Sequence, residues 1–116
     1  MQEVSISIKI KPNKEDMDSD YVFSALFPRK PEQGILAKKI FMEMATTGVI
    51  AEFWEANAEK LGISPREYYW ILKTLKKTGL AYKTKGIYHA SRKLAKHLGS
   101  MSSALHNLCN EQGVPQ

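Results

Sequence analysis

The chain has 116 residues, 43% hydrophobic and 25% charged, the size and balance of one small globular domain, which excludes collagen-like, low-complexity and wholly disordered chains. No apolar run approaches the roughly 18 residues of a membrane span. The opening MQEVSISIKI alternates polar and apolar residues where a secretory signal would carry an apolar block. The net charge of +5 is held unevenly: residues 60–97 carry ten basic residues and one acid, Glu67, a net of +9. Residues 1–59 carry seven basic and ten acidic residues, and residues 98–116 carry only Glu111. Positive charge concentrated in one segment predicts a polyanionic partner more strongly than overall basicity does. The single Cys109 has no internal disulfide partner, and with the missing signal this sets the expectation of a reducing, cytoplasmic location.

Val4, Ile6, Ile8 and Ile10 alternate with Ser5, Ser7 and Lys9, a period of two that predicts a half-buried strand ended by Pro12-Asn13. Residues 14–20 are charged and read as a loop. Asp18, Ser19 or Asp20 can cap a short helix through Tyr21–Phe27, stopped by Pro28. A connector, Pro28-Arg29-Lys30-Pro31, leads into a longer helix that starts near Pro31 and ends before Gly48. Leu36, Ile40 and Met44 follow one face of it, flanked by Ala37 and Phe41.

A second long helix is predicted from about Glu52 to Leu61, with Phe53, Trp54, Ala58 and Leu61 on its apolar side and Gly62 closing it. Ser64-Pro65-Arg66-Glu67 then forms a capping-box signature, with serine at the N-cap, proline at the first helical position and glutamate at the third. The helix it opens runs to about Thr78, buries Tyr68, Ile71, Leu72 and Leu75, and stops at Gly79. Residues 80–84 and 87–90 flank Lys85-Gly86 and predict a small hairpin, with Tyr82 and Tyr88 as cross-strand residues. A last helix begins near Ser91. Leu94, Leu98, Met101, Leu105 and Leu108 repeat at spacings of four and three, an apolar seam over two heptads.

Helix, helix, tight turn, helix and basic hairpin is the order of a winged helix-turn-helix. Residues 58–91 resemble the recognition half of MarR-like and PadR-like winged-helix regulators. The match rests on Ala58, Leu61, Gly62, Ile63 and Ser64 at the turn, and on Leu75, Gly79 and Leu80 at the helix end. With the preceding helix the resemblance covers roughly residues 33–91, while the hairpin tip is shorter than the family's usual wing. The expected fold is mainly α with a small β-hairpin wing. Residues 1–30 form an N-terminal strand and short helix extension, 31–90 the winged helix-turn-helix, and 91–112 a C-terminal dimerisation helix.

The resemblance implies a helix in the major groove of duplex DNA, and places Ser64, Arg66, Glu67, Tyr69, Trp70, Lys73 and Thr74 on its outward side. Arg66 suits a guanine edge. Tyr69 and Thr74 suit bonds to phosphates or stacking on sugars and methyls, and Lys73, Lys76, Lys77, Lys83 and Lys85 suit phosphates. Each has a plainer reading. Lys76 and Lys77 also suit a helix C-terminus, Glu67 suits a cap better than a base, and Trp70 can pack under the hairpin or against the N-terminal strand.

Other chemistry has little footing. Asp16, Asp18 and Asp20 alternate like the start of a calcium loop, but Tyr21 and Phe27 stand where glycine and glutamate are required. His89, His97, His106 and Cys109 lack zinc-ligand spacing. No phosphate-binding glycine loop or nucleophile elbow is present. The expectation is therefore a non-enzyme with no metal and no cofactor. The terminal seam either folds back on the helix of residues 31–48 or pairs with its copy in a second chain, and the resembled families favour the pair.

The leading expectation is a homodimer that binds specific sites on double-stranded DNA, most simply as a transcriptional repressor at the nucleoid. One alternative is a site-binding adaptor for plasmid or chromosome partition or replication, similar to small archaeal plasmid-partition adaptors, working with a second protein of that complex. Another is a winged-helix module that binds an acidic protein.

Overall fold

The computed structural model describes residues 18–116, so the strand expected at residues 4–10 lies outside the described residues. Helices hold 67% of the structure, and the remaining order is a small three-stranded antiparallel sheet. No described helix is long and apolar enough to cross a membrane.

Helix α1 spans Ser19–Ala25, and Asp18 caps it: its carboxylate accepts the Tyr21 N–H at 2.8 Å. Phe23, Leu26 and Phe27 turn inward and join the core. Helix α2 spans Glu32–Thr46 and buries Ala37, Ile40 and Met44 on the stripe predicted for it. The two helices cross at Gly34. A Cβ there would sit 2.6 Å from the Phe23 carbonyl oxygen and 2.7 Å from the Ser24 Cα. Backbone meets backbone at this crossing, so only glycine fits. Phe23 and Phe41 pack with ring centroids 5.5 Å apart beside it.

Strand β1, Val49–Ile50, follows directly. The helix expected from Glu52 divides into a 3-10 turn, Ala51–Phe53, and helix α3, Trp54–Leu61. Phe53 was expected on the apolar side but lies 54% exposed, because the tighter turn points it out of the body. Gly62 closes α3, and the Ile63 N–H reaches back to the Ala58 carbonyl at 3.1 Å. Helix α4, Pro65–Thr78, begins two residues later. Tyr68, Ile71, Leu72 and Leu75 are all buried, as their shared face requires.

Strands β2, Ala81–Thr84, and β3, Ile87–Ala90, pair in the register Tyr82↔His89 and Lys83↔Tyr88. Lys85 (φ 50°) and Gly86 (φ 78°) form the two-residue tip, both left-handed as a type I′ turn demands. Strand β1 adds to the other edge of β3 through Val49↔Tyr88, giving the order β1-β3-β2. Helix α5, Lys93–Glu111, starts two residues after Ser91, whose hydroxyl accepts the Lys93 N–H at 3.1 Å.

Leu94 is buried and Leu98 half-buried against the core. Beyond them α5 leaves the body, and Met101, Leu105 and Leu108 are 62%, 63% and 52% exposed. A fold-back of these three onto α2 is therefore not adopted. The projecting helix stretches the molecule to 54 × 31 × 21 Å.

Candidate nucleic-acid interface

Burying four large side chains on one side of α4 leaves Arg66, Tyr69, Trp70, Lys73 and Lys77 on the other, all exposed. The start of this row is held by Ser64, whose hydroxyl accepts the Glu67 N–H at 3.1 Å. The reciprocal half of the expected capping box is not made. The Glu67 carboxylate instead accepts from Lys30 Nζ at 3.2 Å and Gln33 Nε2 at 3.3 Å. The reason is that Lys30, just before α2, and Gln33, in its first turn, offer two donors, one of them charged. Those two hydrogen bonds, from Gln33 first and Lys30 second, hold the carboxyl below its ordinary value of 4.5.

Trp70 lies 55% exposed and away from the hairpin, so packing beneath the wing is excluded. The Lys73 ammonium stands 5.3 Å from the Tyr69 ring centre and 5.6 Å from that of Trp70. One cation thus bridges two exposed rings. The Tyr69 ring also meets Trp54 of α3 edge-on, centroids 6.3 Å apart. The Thr74 hydroxyl donates to the Trp70 carbonyl at 3.0 Å, so its hydrogen is already committed within the helix.

The predicted residues divide between two flanks of α4. On the hairpin side a hollow of about 750 Å³ is walled by Trp54, Arg66, Tyr69, Lys83 and Tyr88. Lys83 stands 5.5 Å from the centre of the buried Tyr88 ring, and burial, with the neighbouring Tyr69, pushes the Tyr88 phenol up. Tyr82 points to the other face of the sheet and stacks on its cross-strand partner His89, ring centroids 5.1 Å apart. On the opposite flank Trp70, Thr74 and Lys77 line a second hollow with Phe27, Arg29 and Lys30. Arg66 and Ser64 open onto both sides. Lys85 stands exposed at the hairpin tip. The contributions of Trp54, Arg29 and Lys30 were not foreseen, since they reach the site from α3 and from the connector, outside α4 and the hairpin.

Beneath the row, the Tyr68 phenol is buried with no partner in hydrogen-bond geometry. Burial pushes it up to about 12, and the nearby Asn57 side chain lowers it only in part. No group of three or more His, Cys, Asp or Glu able to hold a metal exists among the described residues. No family model, curated protein or solved structure matches the chain.

Proposed function

We propose that residues 31–90 are a winged helix-turn-helix that binds specific sites on double-stranded DNA, and that the chain works as a cytoplasmic, nucleoid-associated homodimer in transcriptional regulation. The observation that carries this reading is the outward row Arg66, Tyr69, Trp70, Lys73 and Lys77, bracketed on one side by Lys83 and Lys85 of the hairpin. The order α2-β1-α3-α4-β2-β3, with β3 central in the sheet, supports the winged-helix assignment.

In this reading α4 lies in the major groove. Arg66, in its first turn, forks onto a guanine edge, and the lysines hold phosphates. The two-residue tip keeps Lys85 at the backbone, since so short a wing does not reach deep into a minor groove. The stripe of Met101, Leu105 and Leu108, bare beyond the body, supports pairing of α5 with its copy. A two-fold pair places two α4 helices one DNA turn apart, roughly 34 Å, and selects an inverted repeat.

Selection of bound duplexes from a random pool tests the whole reading, with a palindrome as the expected product. On that site Arg66→Ala weakens binding about 10- to 100-fold and relaxes one base position. If Arg66→Ala and Tyr69→Ala both bind as tightly as wild type, α4 does not read the DNA. Sedimentation of Leu105→Glu checks the pairing: it remains folded and becomes monomeric, whereas an unchanged dimer places the join elsewhere.

A further inference from the structure

The hairpin covers one flank of α4, and the Pro28–Pro31 connector between α1 and α2 covers the other. Two adjoining hollows of about 450 and 370 Å³ lie between that connector and α4. Arg29, Lys30 and Lys77 supply their cations, Trp70 their exposed ring, and Arg66 joins them to the row already described. Among the described residues Glu67 is the sole acid lining either hollow, and Lys30 and Gln33 occupy its carboxylate. Arg29 is exposed and forms no ion pair with a described residue. With Lys30 and Glu67 offsetting each other, Arg29 and Lys77 are left as net positive charge facing solvent.

We infer that the Pro28–Pro31 connector is a second phosphate-binding arm, holding the DNA strand on the side of the groove that the hairpin leaves open. This rests on the DNA-binding reading above. A helix seated in a groove about 12 Å wide has a phosphate strand on each flank. Lys83 and Lys85 meet one strand, and Arg29 with Lys77 meets the other. The arm is already in place: the Gly34 crossing sets α1 against α2, and the Lys30–Glu67 bridge ties the connector to the first turn of α4. Arg29 therefore reaches a phosphate oxygen by side-chain rotation alone.

The test measures affinity against salt concentration, with hydroxyl-radical footprints, on one selected duplex. The proteins are wild type, Arg29→Ala, Arg29→Lys, Lys85→Ala and the Arg29→Ala/Lys85→Ala pair. Arg29→Ala is expected to reduce the slope of log affinity on log salt by about 0.9, the value of one lost phosphate contact on duplex DNA. It also removes protection at sugars distinct from those lost with Lys85→Ala, and the double variant loses both sets. Arg29→Lys keeps the charge and keeps the slope; loss of the slope there marks a packing role and overturns the arm. If wild type binds and Lys85→Ala loses its contact, an unchanged slope and footprint in Arg29→Ala overturn the arm and leave the DNA reading standing. If wild type binds no duplex at low salt, both fall.

Discussion

Helices α4 and α5 each carry an apolar stripe at helical spacing, yet they meet different surroundings. In α4 the stripe is covered along its length by α2, α3 and the sheet, with Ile71 and Leu75 at 0% exposure. In α5 cover ends after Leu98, and the same stripe runs on into solvent. Spacing in the sequence says which face of a helix is apolar, and the rest of the chain decides whether anything covers it. The two helices accordingly expose opposite chemistries. α4 shows cations and rings, which suit an anionic surface, and α5 shows Leu and Met, which suit another apolar stripe.

The sharpest way to break this contrast is to truncate one leucine in each helix. Leu75→Ala is expected to cost about 3 kcal/mol of folding stability. Leu105→Ala is expected to change the folding of the isolated chain by less than about 0.5 kcal/mol. Urea denaturation at low protein concentration reads both, and equal losses would mean that the α5 stripe is covered within the chain. A smaller effect follows from Gly34→Ala, which drives a methyl into the Phe23 carbonyl. It costs about 2 kcal/mol, and hydrogen exchange should rise in α1 while α4 stays protected. Exchange rising equally in both would show that α1 and the body are one cooperative unit.

Smaller again is Ser64→Ala, which removes the hydroxyl accepting the Glu67 N–H and costs about 1 kcal/mol in thermal unfolding. Ser91→Ala, the corresponding change at the start of α5, should cost less, because that hydroxyl takes the first helical N–H of a helix packed over only part of its length. The smallest effect near neutral pH is that of Tyr68→Phe, which deletes a buried hydroxyl lacking a partner and changes stability by up to about 1 kcal/mol, toward greater stability. Its signature lies in alkali. The folded phenol value, about 12, stands above the ordinary 10.0, so the fold favours the protonated form. That contribution is complete below pH 10.0 and is lost as pH rises toward about 12. Denaturation across that window should be steeper for wild type than for Tyr68→Phe, and identical slopes would mean that the phenol titrates freely in the fold.

Helix α4 was legible in the sequence because its signals are local: Ser64, Pro65 and Gly79 mark its ends, and Tyr68, Ile71, Leu72 and Leu75 share one face. The hairpin was legible for the same reason, from Lys85-Gly86. Strand β1 was not, because two residues, Val49 and Ile50, become a strand only through pairing with Tyr88 and Ile87, nearly forty positions away. Glu67 sits at a capping position by spacing, but Lys30 of the connector and Gln33 of α2 compete for its carboxylate. The outward row on α4 could be read from helical geometry. Its division into two flanks could not, since Trp54 of α3, Lys83 of β2, and Arg29 and Lys30 of the connector approach from elements other than α4.

The glycine at the crossing of α1 and α2 has a thermodynamic consequence. With no side chain between the two backbones, there are no rotamers at the contact to redistribute, and the six residues joining the helices, 26–31, are held at both ends. Two of those six, Pro28 and Pro31, are prolines, whose φ is fixed by the ring. The conformational entropy of that strap is therefore surrendered when the chain folds, so Arg29 meets an anion with only its own side chain left to order.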